Sequence, residues 1–260
     1  MPNDSLRNDA PARFETAADA VVAGDVAALA RLLGEDPALV HARSTRAHRA
    51  TLLHYVAANG VEDARQRTPP NAAEVARALL AAGAEPDALA ETYGGGTGQT
   101  PLTLLVSSVH PARAGLQVAL AELLVDTGAQ VDGVNGDGAP LHTALAFHYA
   151  DTAAALARRG ARIDTLSAAA GLGRANELRR LADARGVTGA DAARALIFAA
   201  ALGHVDAVAF LLDRGVDVRA TDAQGFTALH WAAARGHAPV VAVLLDHGAP
   251  LDVRTVYRGT

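Results

Sequence analysis

The sequence contains no cysteine and no lysine, and only 4% of its 260 residues are aromatic. The absence of cysteine excludes disulfide bonds, thiolate catalysis and zinc sites with cysteine ligands. All 23 basic residues are arginine, a bias typical of a GC-rich bacterial genome. Because half of the residues are nonetheless apolar, alanine, leucine and valine must supply most of the core, and alanine favours closely packed short helices.

Long hydrophobic runs and an excess of positive charge are also missing. No stretch approaches the ~20 apolar residues of a membrane-spanning helix, and the N-terminal segment lacks the apolar core of a secretory signal. With 28 acidic residues the formal net charge is −5, which gives little electrostatic support to nucleic-acid binding. We therefore expect a cytoplasmic protein with no nucleic-acid or membrane partner.

The sequence instead carries a repeated pattern. Residues 222–252, moved back by 33 positions, align with residues 189–219 and match them at the glycines and the Leu-Leu pairs. A fixed period of this length is typical of stacked repeats. Related segments are found at 14–33, 50–87, 98–132, 136–164 and 166–186. We count seven units, of which the first and the fifth are degenerate.

Each unit has the residues expected for two short helices. A threonine suits the N-cap of the first helix, proline is tolerated directly after it, and glycines suit the left-handed C-caps. Neither helix can bury its apolar face alone, so the units must stack. The segments "TPL" (100–102), "ALHWAAARGH" (228–237) and "LLDHGAPLD" (244–252) resemble ankyrin repeats, and the resemblance extends over about residues 14–252.

The resemblance implies an all-α fold, an α-solenoid of antiparallel helix pairs with β-hairpin loops. Inner helices and hairpins would line a concave face that binds a protein partner, with no cofactor. We expect residues 1–13 to form a disordered tail and residues 14–252 to form the repeat domain, with its first unit as a cap. Residues 253–260 are expected to be a C-terminal tail.

The glycine-rich segment "TYGGGTGQTPL" (92–102) has some features of a phosphate-binding loop. A Walker motif requires glycine at the position of Tyr93 and lysine at that of Gln99, and the sequence has neither. Thr100 begins an inner helix in the repeat pattern. Residues 92–99 are therefore predicted to form an extended hairpin, in which glycines supply positive φ angles.

Two insertions separate the helices of the second and third units, at residues 59–71 and 107–117. Equivalent turns of neighbouring repeats lie side by side, so the insertions are expected to touch. The charged residues that they would gather are Arg65, Arg67, His110 and Arg113, beside Glu62 and Asp63. One interpretation is a ledge for a partner or an anion-binding site formed by the three arginines. The other is two loops that pack on each other.

The resemblance also implies which positions contact a partner: the hairpin tips and the residues before the inner-helix glycine. In this sequence they are Asn59, Tyr93, Ser107, Ser108, Phe147, Leu202, Phe226 and Arg235. His148 stands where the pattern has glycine and Tyr149 follows it, so both join the candidate partner-binding residues. One interpretation is a mildly apolar groove, since buried aromatic anchors dominate binding; the other is ordinary scatter of surface hydrophobics.

Most of the ten histidines fit the repeat pattern. The resemblance implies that His54, His142 and His230, at helix starts, form hydrogen bonds to hairpins. No two histidines have the spacing of metal ligands on one helix, so we expect no bound metal. The histidines outside the pattern are His41, His48, His110 and His148.

The sequence favours a non-enzymatic module that binds a protein across its concave face. The alternative is a small-molecule-binding protein or an atypical acid–base enzyme, with a pocket formed by the insertions and long hairpin of repeats 2–4. His110 or His148 would then transfer protons near neutral pH.

The chain segments that connect the fifth unit to its two neighbours are short.

The outer helix of the last unit is apolar on all sides, which favours a homodimer through that repeat unless Val256 and Tyr257 cover it.

Overall fold

The computed structural model describes residues 10–92 and 98–253. The predictions about Tyr93, about most of the long hairpin and about Val256 and Tyr257 lie outside the described residues. The first helix of the described residues is Ala10–Ala23. Residues 10–13, expected to belong to a disordered tail, are therefore helical, and the alanines of this segment favour helix.

Regular structure in the described ranges is helical, apart from two isolated antiparallel bridges, Ala90 with Gln99 and Thr221 with Thr227. Both bridges lie in connections where the repeat pattern predicts hairpins. The α-helices are α1 (Ala10–Ala23), α2 (Val26–Glu35), α3 (Leu52–Val56), α4 (Ala72–Ala81), α5 (Pro101–Leu105), α6 (Val109–Arg113), α7 (Gln117–Asp126), α8 (Ala139–Ala146), α9 (Ala150–Arg158), α10 (Leu166–Gly171), α11 (Ala175–Arg185), α12 (Gly189–Ala201), α13 (Val205–Asp213), α14 (Ala228–Ala234) and α15 (Ala238–Asp246). Two short 3-10 helices cover Pro37–Val40 and Asp63–Arg65.

The chain divides into two compact units. The first comprises the described residues up to Thr143 together with Arg158–Gly160. In this unit the inner helices α1, α3 and α5 pack on one another in order, and so do the outer helices α2, α4 and α7. The insertions add the 3-10 helix Asp63–Arg65 and helix α6, so these segments contain helical turns.

The second unit comprises Ala144–Ala157 and the described residues from Ala161 onward. Here α10, α12 and α14 form the inner row, and α11, α13 and α15 form the outer row. Leu196, Leu211 and Leu244 lie fully buried between the rows. Each pair thus buries its apolar face only against its neighbours, as expected for repeats.

Glycines at the ends of inner helices make room for the histidine of the next pair. A Cβ atom on Gly173 would lie 2.7 Å from Nδ1 of His204, and the His204 Nε2 atom lies 3.0 Å from the carbonyl oxygen of Gly171. Gly203 and His237 repeat the arrangement one pair later. The Gly-His pairs of the sequence are therefore explained by contacts between repeats.

The short connections flanking the fifth pair change how α10 begins. Only residues 186–188 separate α11 from α12, which leaves no room for a hairpin. The carboxylate of Asp191, in the first turn of α12, accepts hydrogen bonds from the backbone N–H of Leu166 at 2.8 Å and from the hydroxyl of Ser167 at 2.6 Å. A side chain of α12 thus supplies the acceptors for the start of α10.

Replacing Asp191 with alanine is expected to lower the free energy of unfolding by about 2 kcal/mol, because the donors of α10 lose their acceptor. Asp206 occupies the first turn of α13 and is exposed, so Asp206→Ala is the matched control and should change stability by less than about 0.5 kcal/mol. Urea denaturation followed by circular dichroism measures both. Equal effects of the two substitutions would contradict this role of Asp191.

The last helix leaves apolar side chains at the surface. Val240 and Leu244 of α15 face the core, whereas Leu245 is 41% exposed and Leu251, just beyond the helix, is 77% exposed. A homodimer through this repeat remains a prediction.

Candidate binding groove in the second unit

The second unit contains a groove of about 940 Å³. One wall is the face of α12 that carries Ala193, Arg194, Ile197 and Phe198, whose spacing of three and four residues places them on one side of a helix. The loop 221–226, helix α14 and the end of α8 complete the lining. The aromatic side chains in it are Phe147, Phe198, Phe226 and Trp231.

Asp222 holds the loop and the tryptophan of the groove together. The Nε1–H group of Trp231 donates to Oδ2 of Asp222 at 2.8 Å. The other carboxylate oxygen accepts the backbone N–H groups of Gln224 and Phe226, each at 2.9 Å. One carboxylate therefore fixes both the turn of the loop and the orientation of the indole.

We expect Asp222→Ala to lower the free energy of unfolding by about 2 kcal/mol, because three donors lose their acceptor. Trp231 is the single tryptophan, so its fluorescence should also shift to longer wavelength as the indole gains contact with water. The Asp217 carboxylate, in the same connection, accepts the Arg219 N–H at 2.9 Å, and Asp217→Ala is the matched control. An unchanged emission spectrum in Asp222→Ala would contradict the assignment.

His148 reaches across the groove from the fourth helix pair to the seventh. Its ring lies 4.3 Å from the Trp231 ring, centroid to centroid, and its Nδ1 atom lies 3.0 Å from Nη2 of Arg235. Since arginine only donates, Nδ1 accepts this bond and the proton of the neutral ring is on Nε2. Burial, reinforced by the Arg235 charge, lowers the pKa of His148 to about 4, so the ring is neutral at pH 7.

The backbone of His148 is in a conformation that favours glycine. Its φ angle is 60°, and the residues at this point in the first, fifth, sixth and seventh pairs are glycines with φ between 64° and 81°. A side chain other than glycine in the left-handed region costs roughly 1–2 kcal/mol. Strained residues of this kind occur preferentially at functional sites.

Two arginines at the groove have no carboxylate partner in the described part of the chain. Arg194 and Arg235 are both exposed, and neither forms a salt bridge with a described residue. Asp222, the acidic residue of the lining, already accepts three internal hydrogen bonds. The lining therefore carries donors that are directed at no internal anion.

The groove brings together four of the residues predicted to contact a partner. Phe147, His148, Phe226 and Arg235 all line it. Tyr149 lies beside it, with its ring stacked 6.3 Å from that of Phe147. The C-cap of α12 is Leu202, which is half-buried and outside the lining.

The insertions of the first unit touch, as predicted, but through uncharged groups. The Asn59 side chain donates to the Ser107 hydroxyl at 2.8 Å. Ser108 donates to the carbonyl oxygen of Ala58 at 3.1 Å and is only 2% exposed. Ser108 is thus part of the packing between the insertions and offers a partner almost no surface.

Arg65 points from the insertion towards the first helix. It forms ion pairs with Glu15 and with Asp19 of α1, and with Glu62 at 3.3 Å. Arg67 and Arg113 are exposed, and His110 is half-buried on α6. Of the three arginines predicted to bind an anion, Arg65 is therefore already neutralised by carboxylates of the protein.

Two of the three histidines at helix starts, His54 and His230, bond to the following connection in the way the resemblance implies. Nδ1 of His54 accepts the Thr51 N–H at 3.1 Å, and its Nε2 donates to the Gln99 carbonyl oxygen at 3.1 Å. His230 makes the equivalent bonds with Thr227 and Val253. These rings cap their own helix and tie it to the next connection.

Residues 10–92 and 98–253 contain no group of three or more histidine, aspartate or glutamate side chains placed to hold a metal ion. No helix among them is long and apolar enough to cross a membrane.

Sequence reasoning missed Arg194, Phe198, Asp222 and Trp231 as groove residues. The signals for two of them were present, because Trp231 is the single tryptophan and Asp222 begins a turn of the type Asp-x-x-Gly. Arg194 and Phe198 had none, since their placement depends on the extra turns of α12, which has 13 residues.

Part of the chain matches a known protein family. Residues 166–255 match a family model described as ankyrin repeats (3 copies). The crystal structure of the human ASB11 ankyrin repeat domain is similar over 90% of this chain and 98% of that chain, with a TM-score of 0.52 and 22% sequence identity. The ankyrin repeat domain of Bcl-3, a member of the IkappaB family, matches over 94% of this chain and 91% of that chain, with a TM-score of 0.47 and 26% identity. No curated protein matches the chain in sequence.

Proposed function

We propose that this chain, whose residues 166–255 match the ankyrin-repeat family model, binds a protein partner in the groove of its second unit. Ankyrin-repeat domains generally mediate protein–protein interactions. The observation that carries the proposal is the groove itself, which combines aromatic side chains with two arginines that lack an internal counter-ion.

The composition of the groove supports binding in two ways. Tryptophan, tyrosine and arginine are the residues that most often dominate the energy of protein interfaces. Phe147 is 50% exposed, so binding would remove its apolar surface from water, and each Å² so buried contributes about 25 cal/mol. The strained backbone of His148 is a further indication that this side chain serves something other than stability.

A substitution that fills the groove tests the proposal. Ala193 lines it, and Ala184 is an exposed alanine on α11, so Ala193→Phe and Ala184→Phe form a matched pair. We expect binders selected from a displayed peptide library against the wild-type protein to bind Ala193→Phe at least about tenfold more weakly, a loss of about 1.4 kcal/mol. They should bind Ala184→Phe as well as wild type. Equal affinity for both variants would place the binding surface elsewhere.

The second candidate function is the binding of a small molecule. The groove volume lies within the roughly 300–1,000 Å³ of ligand pockets. A small molecule would therefore bind in this groove, and not in the pocket predicted from the insertions of repeats 2–4. Acid–base catalysis by His148 receives no support, because a ring with a pKa of about 4 is a weak base at pH 7. This alternative would be favoured if display yielded no peptide whose binding depends on the groove, while a small molecule slowed hydrogen exchange in the groove.

A further inference from the structure

We infer that the groove takes an acidic peptide segment, in which a carboxylate side chain is adjacent to an aromatic one. This inference rests on the proposed function and specifies the chemistry of the partner. It follows from the charges of the lining, from the way Arg235 is held and from the shape of the apolar surface.

The charges of the lining favour an anion. The chain as a whole has a net charge of −5, yet the groove presents Arg194 and Arg235 against the single carboxylate of Asp222. Both oxygens of Asp222 accept internal hydrogen bonds, so the arginines keep their donors for a ligand. Guanidinium groups bind carboxylates by two parallel hydrogen bonds, which are stronger than neutral ones.

His148 acts as a positioning residue for one of these arginines. Its neutral ring accepts one N–H of Arg235 at 3.0 Å and leaves the remaining N–H groups of the guanidinium for the ligand. A neutral acceptor orients the guanidinium without cancelling its charge, as a carboxylate in the same place would. This role accounts for a histidine at a φ of 60°, where glycine would be less strained.

The apolar surface favours a segment of a protein over a free small acid. Phe147 and the two arginines are exposed at the rim, whereas Phe198 is 6% exposed at the base. Pockets for small ligands usually bury 70–90% or more of the ligand surface. A rim this open instead suits a chain that crosses the groove, with one aromatic side chain inserted and its neighbouring carboxylate at the rim.

Fluorescence of Trp231, the single tryptophan, provides the test on the full chain. The probes are three blocked peptides, Ser-Glu-Phe-Glu-Ser, Ser-Gln-Phe-Gln-Ser and Ser-Glu-Ala-Glu-Ser, together with phenylacetate. We expect saturable binding of the first peptide below about 1 mM, at least about tenfold tighter than that of the other two peptides and of phenylacetate.

Each other outcome of the titration overturns the inference. If Ser-Gln-Phe-Gln-Ser bound as tightly as the acidic peptide, the groove would bind peptides irrespective of their charge. The proposed function would then still hold. Phenylacetate that binds as tightly as the acidic peptide would identify a free small acid as the occupant. If none of the three peptides binds, while the peptides selected by display still bind Ala193→Phe more weakly than wild type, the inference fails and the proposed function holds.

Variants test the two arginines and the histidine separately. Arg194→Gln and Arg235→Gln should each weaken binding of the acidic peptide about tenfold, whereas Arg180→Gln, on the exposed face of α11, should not. His148→Gly should weaken binding, and His148→Asn should restore it, because asparagine tolerates a positive φ and its amide oxygen can accept from Arg235. Binding as weak in His148→Asn as in His148→Gly would contradict the positioning role.

Discussion

Replacing Arg65 with alanine is expected to lower the free energy of unfolding of the first unit by about 3 kcal/mol. The Arg65 side chain is 14% exposed and lies between Glu15 and Asp19 of α1 and Glu62 of the insertion. Without it, two half-buried carboxylates, Glu15 and Glu62, lose one charged partner and keep only the more exposed Arg46 as an arginine counter-charge. The loss of such a partner is more costly than the loss of an exposed ion pair.

The pKa of Glu15 indicates the same interaction. Burial alone would raise it, but the hydrogen bonds and charges of Arg65 and Arg46 outweigh burial and lower the pKa below its usual value. Arg67, two residues away, is exposed, so Arg67→Ala is the matched control and should change stability by less than about 0.5 kcal/mol. Urea denaturation followed by circular dichroism compares the two. A small effect of Arg65→Ala would mean that the insertion does not hold α1 in place.

Acidification is expected to destabilise the protein through His54 by about 3 kcal/mol between pH 6.5 and pH 4. The His54 side chain is fully buried, and burial lowers its pKa to about 4 in the folded state, against about 6.5 in the unfolded chain. Because the folded pKa is the lower one, the unfolded state binds the proton first as the pH falls. The contribution of His54 is therefore complete above pH 6.5 and is lost as the pH falls towards 4.

The comparison of wild type with His54→Gln isolates this effect, since His148 titrates in the same range. Glutamine can still donate to the Gln99 carbonyl but cannot be protonated. We expect the variant to be less stable than wild type at pH 7 and the difference to shrink or reverse near pH 4. The same substitution at exposed His41 is the control for the change of side chain. A difference between wild type and His54→Gln that is constant from pH 7 to pH 4 would contradict the argument.

The fold could be predicted from the sequence because its determinants are local. Thr51, His54 and the glycines that end the helices form hydrogen bonds or turns within a few residues, or with the adjacent repeat. The 33-residue period then repeats contacts of this kind along the chain. The exceptions also have local causes, since the helical conformation of residues 10–13 and the helical turns in the insertions depend on helix propensity that the repeat pattern does not include.

The groove could be predicted only in part because it depends on contacts between distant residues. Phe147, Phe226 and Arg235 occupy positions that the repeat pattern assigns to the binding surface. The contact of His148 with Trp231 and Arg235 joins the fourth pair to the seventh. The length of α12 determines which of its residues line the groove. The insertions were predicted to form a site because their charged residues stand out in the sequence. In the structure the charge of Arg65 is instead neutralised by carboxylates of the protein itself.

Hydrogen–deuterium exchange with and without a peptide selected by display tests the central claim most directly. The claim is that the groove of the second unit is the surface that binds the partner. It predicts slower exchange on binding in the loop 221–226, in α14 and in the N-terminal turns of α12. Slower exchange confined to the insertions at 59–71 and 107–117, with the groove unchanged, would contradict it.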